Sequence, residues 1–96
     1  MKREAIFSIF SAHQAELLER GGKALAVFGS VARGDSNEFS DVDILVEFNR
    51  PVGLFEFVRL KQLLENWIGC QVDLVTPDAI HPALRERILK EAIYVR

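Results

Sequence analysis

The run Ala24-Leu25-Ala26-Val27-Phe28, stopped abruptly by Gly29-Ser30, constrains this chain more than any other stretch. Consecutive apolar residues leave no polar face, so a strand built from them has to be covered on both sides rather than lie at an edge with one face in water. A chain of 96 residues has room for one core, so such a strand predicts a single domain with a sheet through its middle and helices packed on it.

The flanking segments supply those layers. From Glu4 to Arg20, Ile6, Phe10 and Leu17 recur at helical spacing with Phe7 and Leu18 beside them, and Gly21-Gly22 end the pattern. Turn formers fill Gly34-Asp35-Ser36-Asn37-Glu38, with Asp35 read as a turn residue. Asp41 to Phe48 then reads as a second strand, with Val42, Ile44, Val46 and Phe48 on one face and Asp41, Asp43, Leu45 and Glu47 on the other. After Pro51 and Gly53, the spacing of Phe57, Leu60, Leu64 and Trp67 predicts a helix over Leu54 to Trp67, stopped by Gly69. Gln71 to Thr76 is a third strand. Pro82 opens a last helix running to about Ala92 with Leu84, Ile88 and Leu89 inward, and Ile93-Tyr94-Val95 can pair as a terminal strand. The fold class is therefore α/β, with one mixed sheet flanked by helices.

Charge and cysteine content narrow the function. A formal charge of −2 lacks the broad positive field of a general nucleic-acid binder. Cys70 is the single cysteine, which excludes an internal disulfide, reads as a small buried hydrophobe and favours a reducing cytoplasm. No apolar run has the length of a signal peptide core or a membrane span.

The chemistry-bearing residues form a constellation: Gly29-Ser30 ending a buried strand, Asp41-Val42-Asp43 opening the next, and Asp73 inside a third. Asp41 and Asp43, two apart on a strand, would present carboxylates side by side, an arrangement that repels itself unless cations lie between. Mg²⁺ suits such a pocket, because it takes hard oxygen ligands and commonly uses one or two carboxylates while phosphates and water complete its shell. Gly29 permits close backbone approach to a phosphate, Ser30 offers a hydroxyl and an N–H at the start of a helical turn, and Arg33 one turn later adds a charged fork. The corresponding reaction is two-metal phosphoryl chemistry at an α-phosphate, with Asp73 on the side of the incoming hydroxyl. Each part has a plainer reading. Alternating aspartates often mark a strand's wet face, Gly-Ser is a common turn, and Arg33 alone is a solvated charge. Their conjunction at successive strand ends is what points to a site.

With those residues in place, the chain resembles the DNA polymerase β-type nucleotidyltransferase superfamily, and within it the minimal nucleotidyltransferase (MNT) branch. The resemblance rests on Gly29-Ser30-Val31-Ala32-Arg33-Gly34, on Ser40-Asp41-Val42-Asp43-Ile44-Leu45-Val46 and on Asp73 in Val72-Asp73-Leu74-Val75. It implies a polymerase β-like fold with Asp41, Asp43 and Asp73 as metal-binding catalytic acids and Gly29, Ser30 and Arg33 at the nucleotide. It also implies an antitoxin that transfers AMP from ATP to a tyrosine hydroxyl of a HEPN-domain toxin. Two other readings stay open: neutralisation by binding alone, and transfer to a small-molecule hydroxyl.

The chain's small size leaves little room for a second acceptor-gripping domain, so a folded protein partner fits best. The helix from Leu54 to Trp67, with Phe55, Phe57, Val58 and Trp67, offers apolar surface either to such a partner or to its own sheet. His13 and His81 have no metal-ligand spacing and read as structural or rim residues, and Tyr94 reads as a packed aromatic.

Overall fold

The apolar run becomes β1 (Gly22–Phe28), which lies inside a four-stranded sheet of order β3-β2-β1-β4. The computed structural model describes residues 2–34 and 41–95, so the turn expected over Asp35 to Glu38 lies outside the described residues. β2 (Val42–Phe48) pairs antiparallel with one side of β1 and β4 (Ile93–Tyr94) antiparallel with the other, while β3 (Val72–Val75) runs parallel to β2. A parallel neighbour demands a long crossover, and α4 (Leu54–Ile68) supplies it.

Strand alternation sorts the side chains into two layers. On one face, Leu25, Val27, Val42, Ile44 and Val46 meet Ile6 and Phe10 of α1 (Arg3–Ala12), Leu17 of α2 (Gln14–Glu19) and Leu60, Leu64 and Ile68 of α4. On the other, Ala26, Phe28 and Leu45 meet Ile80, with Ile88 and Ala92 packed against them. The face assignments expected for Val42, Ile44, Val46 and Leu45 hold. Fully burying a residue such as Leu64 contributes roughly 1.5–3 kcal/mol.

Four sequence expectations change. The first helix is broken at His13 (φ −108, ψ 16), so that α1 lies against α4 while α2 turns Leu17 onto β1. His13 stacks on Trp67 with ring centroids 4.1 Å apart and planes within 9°. α5 (Pro82–Glu91) forms as expected, with His81 Nδ1 accepting from Ala83 N–H, but only Ile88 of its three apolar positions packs inward. Leu84 and Leu89 are exposed, because the short second layer gives the helix little to cover. Cys70 is half-buried at the core margin rather than enclosed, and burial pushes its thiol pKa up. In α4, Phe57 and Trp67 pack on the core, whereas Leu54, Phe55 and Val58 stay exposed. Tyr94 is also exposed rather than packed, and its partial burial followed by the nearby charge of Glu47 pushes its pKa up.

Candidate active site

At Phe28 the chain leaves β1 and turns at once into a five-residue helix, α3 (Gly29–Arg33). Gly29 makes that elbow possible. Its φ of +71 suits glycine, and a Cβ there would fall 2.1 Å from Asp43 Oδ2. The expectation set Gly29 against a phosphate; in the structure its bare Cα faces a carboxylate. Ser30 follows, half-buried, and Arg33 closes the helix on the exposed side.

Asp43 is placed by two registers at once. It lies opposite Phe28 across the antiparallel pair and level with Asp73 across the parallel pair, which brings the two carboxylates together. Its pKa rises from 3.8 to about 6. Burial is the main cause, followed by the charges of Asp73 and Asp41; Arg33 acts in the opposite direction, and a hydrogen bond with Asp73 favours the protonated form. Asp41 sits one residue before β2 and is exposed, so it reaches Asp43 from the strand's mouth rather than as a neighbour on the ladder.

The structure thus brings Asp41 and Asp73 each within electrostatic reach of Asp43, lays Gly29 against Asp43, and places Arg33 where its charge acts on Asp43. Ser30 follows Gly29 in α3. Among the described residues, no three His, Cys, Asp or Glu side chains form a closed metal-holding group. The donor chemistry nonetheless suits Mg²⁺: an in-register carboxylate pair that repels itself is relieved by a cation whose remaining ligands are phosphates and water. Because α3 is little more than one turn, stabilisation of an anion there comes from local donors and Arg33 rather than from a long helix dipole.

Sequence reasoning missed several supports. Glu65 of α4 accepts from Val72 N–H at 3.0 Å, pinning the start of the strand that carries Asp73. That amide, and then Lys61, hold the Glu65 pKa down. Glu91 of α5 pairs with Arg33, and Arg3 Nη1 donates to the Ala32 carbonyl at 2.6 Å. These partners lie far apart in the chain, and no local pattern marks them.

A surface cleft of about 590 Å³ lined by Glu47, Arg50, Thr76 and Asp78 opens toward the other end of β2. The perturbed carboxyl lies at the aspartates instead, and buried Leu45 separates Asp43 from Glu47 along the strand.

A strand-to-helix elbow whose glycine abuts a carboxylate, with a second carboxylate in register on a mixed sheet, is compatible with a phosphoryl-transfer class of site. The chain belongs to the nucleotidyltransferase domain family, which matches residues 11–95. It is similar to the protein adenylyltransferase MntA of Thermococcus cleftensis, 43% identical over 93 residues covering 96% of this chain and 94% of the relative. A solved structure provisionally named a minimal nucleotidyltransferase superposes with a TM-score of 0.83 at 40% identity, covering 97% of this chain and 95% of that one. At the level of fold alone, an AMPylated Shewanella oneidensis HEPN toxin in complex with its MNT antitoxin also matches. It has a TM-score of 0.60 and 16% identity over 90% of this chain and 71% of that one. Among the described residues, no helix is long and apolar enough to cross a membrane.

Proposed function

We propose that this chain is a Mg²⁺-dependent protein adenylyltransferase that acts in the cytoplasm as a single minimal domain, neutralising a HEPN-domain toxin by transferring AMP from ATP to a toxin tyrosine. The observation that carries the reading is the Asp43–Asp73 pair, set in register beside Gly29, where the partial burial of Asp43 and its repulsion by Asp73 make a site that favours positive charge. The name of the Thermococcus relative supports the reaction, and the Shewanella complex supports the kind of acceptor.

In this mechanism Asp41, Asp43 and Asp73 would hold Mg²⁺, which would supply charge neutralisation at the triphosphate and polarisation of the reacting oxygens. Ser30 and Arg33 position the phosphates, the first through its hydroxyl and backbone N–H and the second through its guanidinium. Asp73, on an exposed position of β3, faces the incoming acceptor and takes the proton of the tyrosine hydroxyl. The phenolic oxygen bonds to the α-phosphorus as the bond to the bridging oxygen breaks, and pyrophosphate leaves.

The test is transfer of label from α-labelled ATP to the cognate toxin in Mg²⁺. Asp43→Asn and Asp73→Asn should abolish labelling while the complex still forms. If both variants still protect cells, neutralisation occurs by binding alone and the enzymatic reading is wrong.

A further inference from the structure

Helix α3, which carries Ser30 and Arg33, is moored on two sides by residues outside the site. Arg3 of α1 donates to the Ala32 carbonyl, and Glu91 of α5 pairs with Arg33. Glu91 is an unusual choice for its position. It is the last residue of α5, where the partial negative charge of the helix end disfavours a carboxylate, so its placement costs stability unless a cation compensates. Its side chain is only 17% exposed, against 47% for Arg33, so the carboxylate is the fixed member of the pair.

The backbone behind Glu91 is firmly held. Ala92 packs in the second core layer, and β4 begins at once, pairing Val27 with Ile93 and Ala26 with Tyr94. Val95 N–H continues the attachment by donating to the Leu25 carbonyl at 2.8 Å. Glu91 is thereby fixed to the same strand, β1, whose end forms the Gly29 elbow.

We infer that Glu91 is a positioning residue for the nucleotide: it holds the Arg33 guanidinium beside Asp43, oriented toward the phosphate oxygens of a nucleoside triphosphate. The inference rests on reading the site as a nucleotidyl-transfer centre. Arginine is suited to this arrangement because its planar fork carries several N–H donors. The contact to Glu91 is made through Nη1. A long side chain ordered in advance loses less rotamer freedom when the ligand arrives, which converts directly into affinity. Arg33 holds the same phosphates before and during transfer, so losing its orientation weakens nucleotide binding without slowing the bound complex.

The experiment measures binding of a non-hydrolysable ATP analogue with Mg²⁺ by titration calorimetry, together with KM for ATP and kcat in the transfer reaction. Glu91→Ala should raise Kd and KM by about fivefold, the scale of one partly exposed ion pair, with kcat changed by less than about twofold. Glu91→Gln, which keeps volume and hydrogen bonding, should recover part of the loss, and it carries the test if the alanine variant fails to fold. In an Arg33→Ala background, Glu91→Ala should cost nothing further. Unchanged affinity in Glu91→Ala overturns the inference, as does an equal loss with and without Arg33, which would make Glu91 a stabiliser of the fold. Failure of the wild-type protein to bind the analogue would instead remove the nucleotidyl-transfer reading, and the inference with it.

Discussion

Asp43→Asn should make the metal-free protein more stable while destroying its activity. The folded-state carboxyl has its pKa raised from 3.8 to about 6. At pH 8 both states ionise, and the native state bears the cost of a desolvated charge beside Asp73 and Asp41. The full shift corresponds to about 3 kcal/mol, and because Asp43 remains partly open to water, screening reduces this to ~1–1.5 kcal/mol. The sign follows from linkage. A carboxyl with a raised folded pKa adds stability below its unfolded pKa near 4 and loses that contribution as pH climbs through about 6. Asparagine keeps the shape and can still donate to Asp73, but it carries no charge. Thermal melts in EDTA should therefore show the variant about 5 °C above wild type at pH 8, with the gap shrinking as pH falls through about 6 and closing below about pH 4. Adding Mg²⁺ and an ATP analogue should reverse the order, since wild type gains more from binding. A variant less stable than wild type at pH 8, or a gap that does not shrink at low pH, would refute an electrostatically loaded Asp43.

Gly29→Ala drives a methyl group into Asp43 Oδ2 at a position with φ +71, and should cost about 1–3 kcal/mol and at least ~100-fold in transfer rate, read by denaturant melts and labelling. Glu65→Ala leaves the Val72 amide without its acceptor and should destabilise the protein by about 1 kcal/mol, with faster hydrogen exchange at the start of β3. His13→Ala removes the ring stacked on Trp67, the chain's single tryptophan, and should lower stability by roughly 0.5–1.5 kcal/mol with a change in intrinsic fluorescence.

What could be read from residues alone was whatever has a short period or a local rule. Val42, Ile44 and Val46 declared the core face of β2 by alternation, and Phe57, Leu60 and Leu64 declared α4 by helical spacing. Gly29-Ser30 and the aspartates were legible as a group because strand ends bring such residues together. The remainder depends on contacts between distant parts of the chain. Nothing near Gly29 says that Asp43, fourteen positions on, lies against it, and Arg33 meets Glu91 across 58 residues. Leu84 and Leu89 had the pattern of an inward stripe, yet the second layer is too small to receive them. Asp41 stands one residue outside β2 because strand pairing begins at Val42, a boundary that propensity does not mark.

The parallel pairing of β2 and β3 also sets a clock. Thirty residues of chain must close through α4 before Asp73 comes level with Asp43, and closures of that span form slowly compared with hairpins and single helices. A one-residue slip would carry Asp73 to the opposite side of the sheet. A chain in which β3 has not yet docked beside β2 therefore lacks the paired carboxylates, and competence waits on that closure.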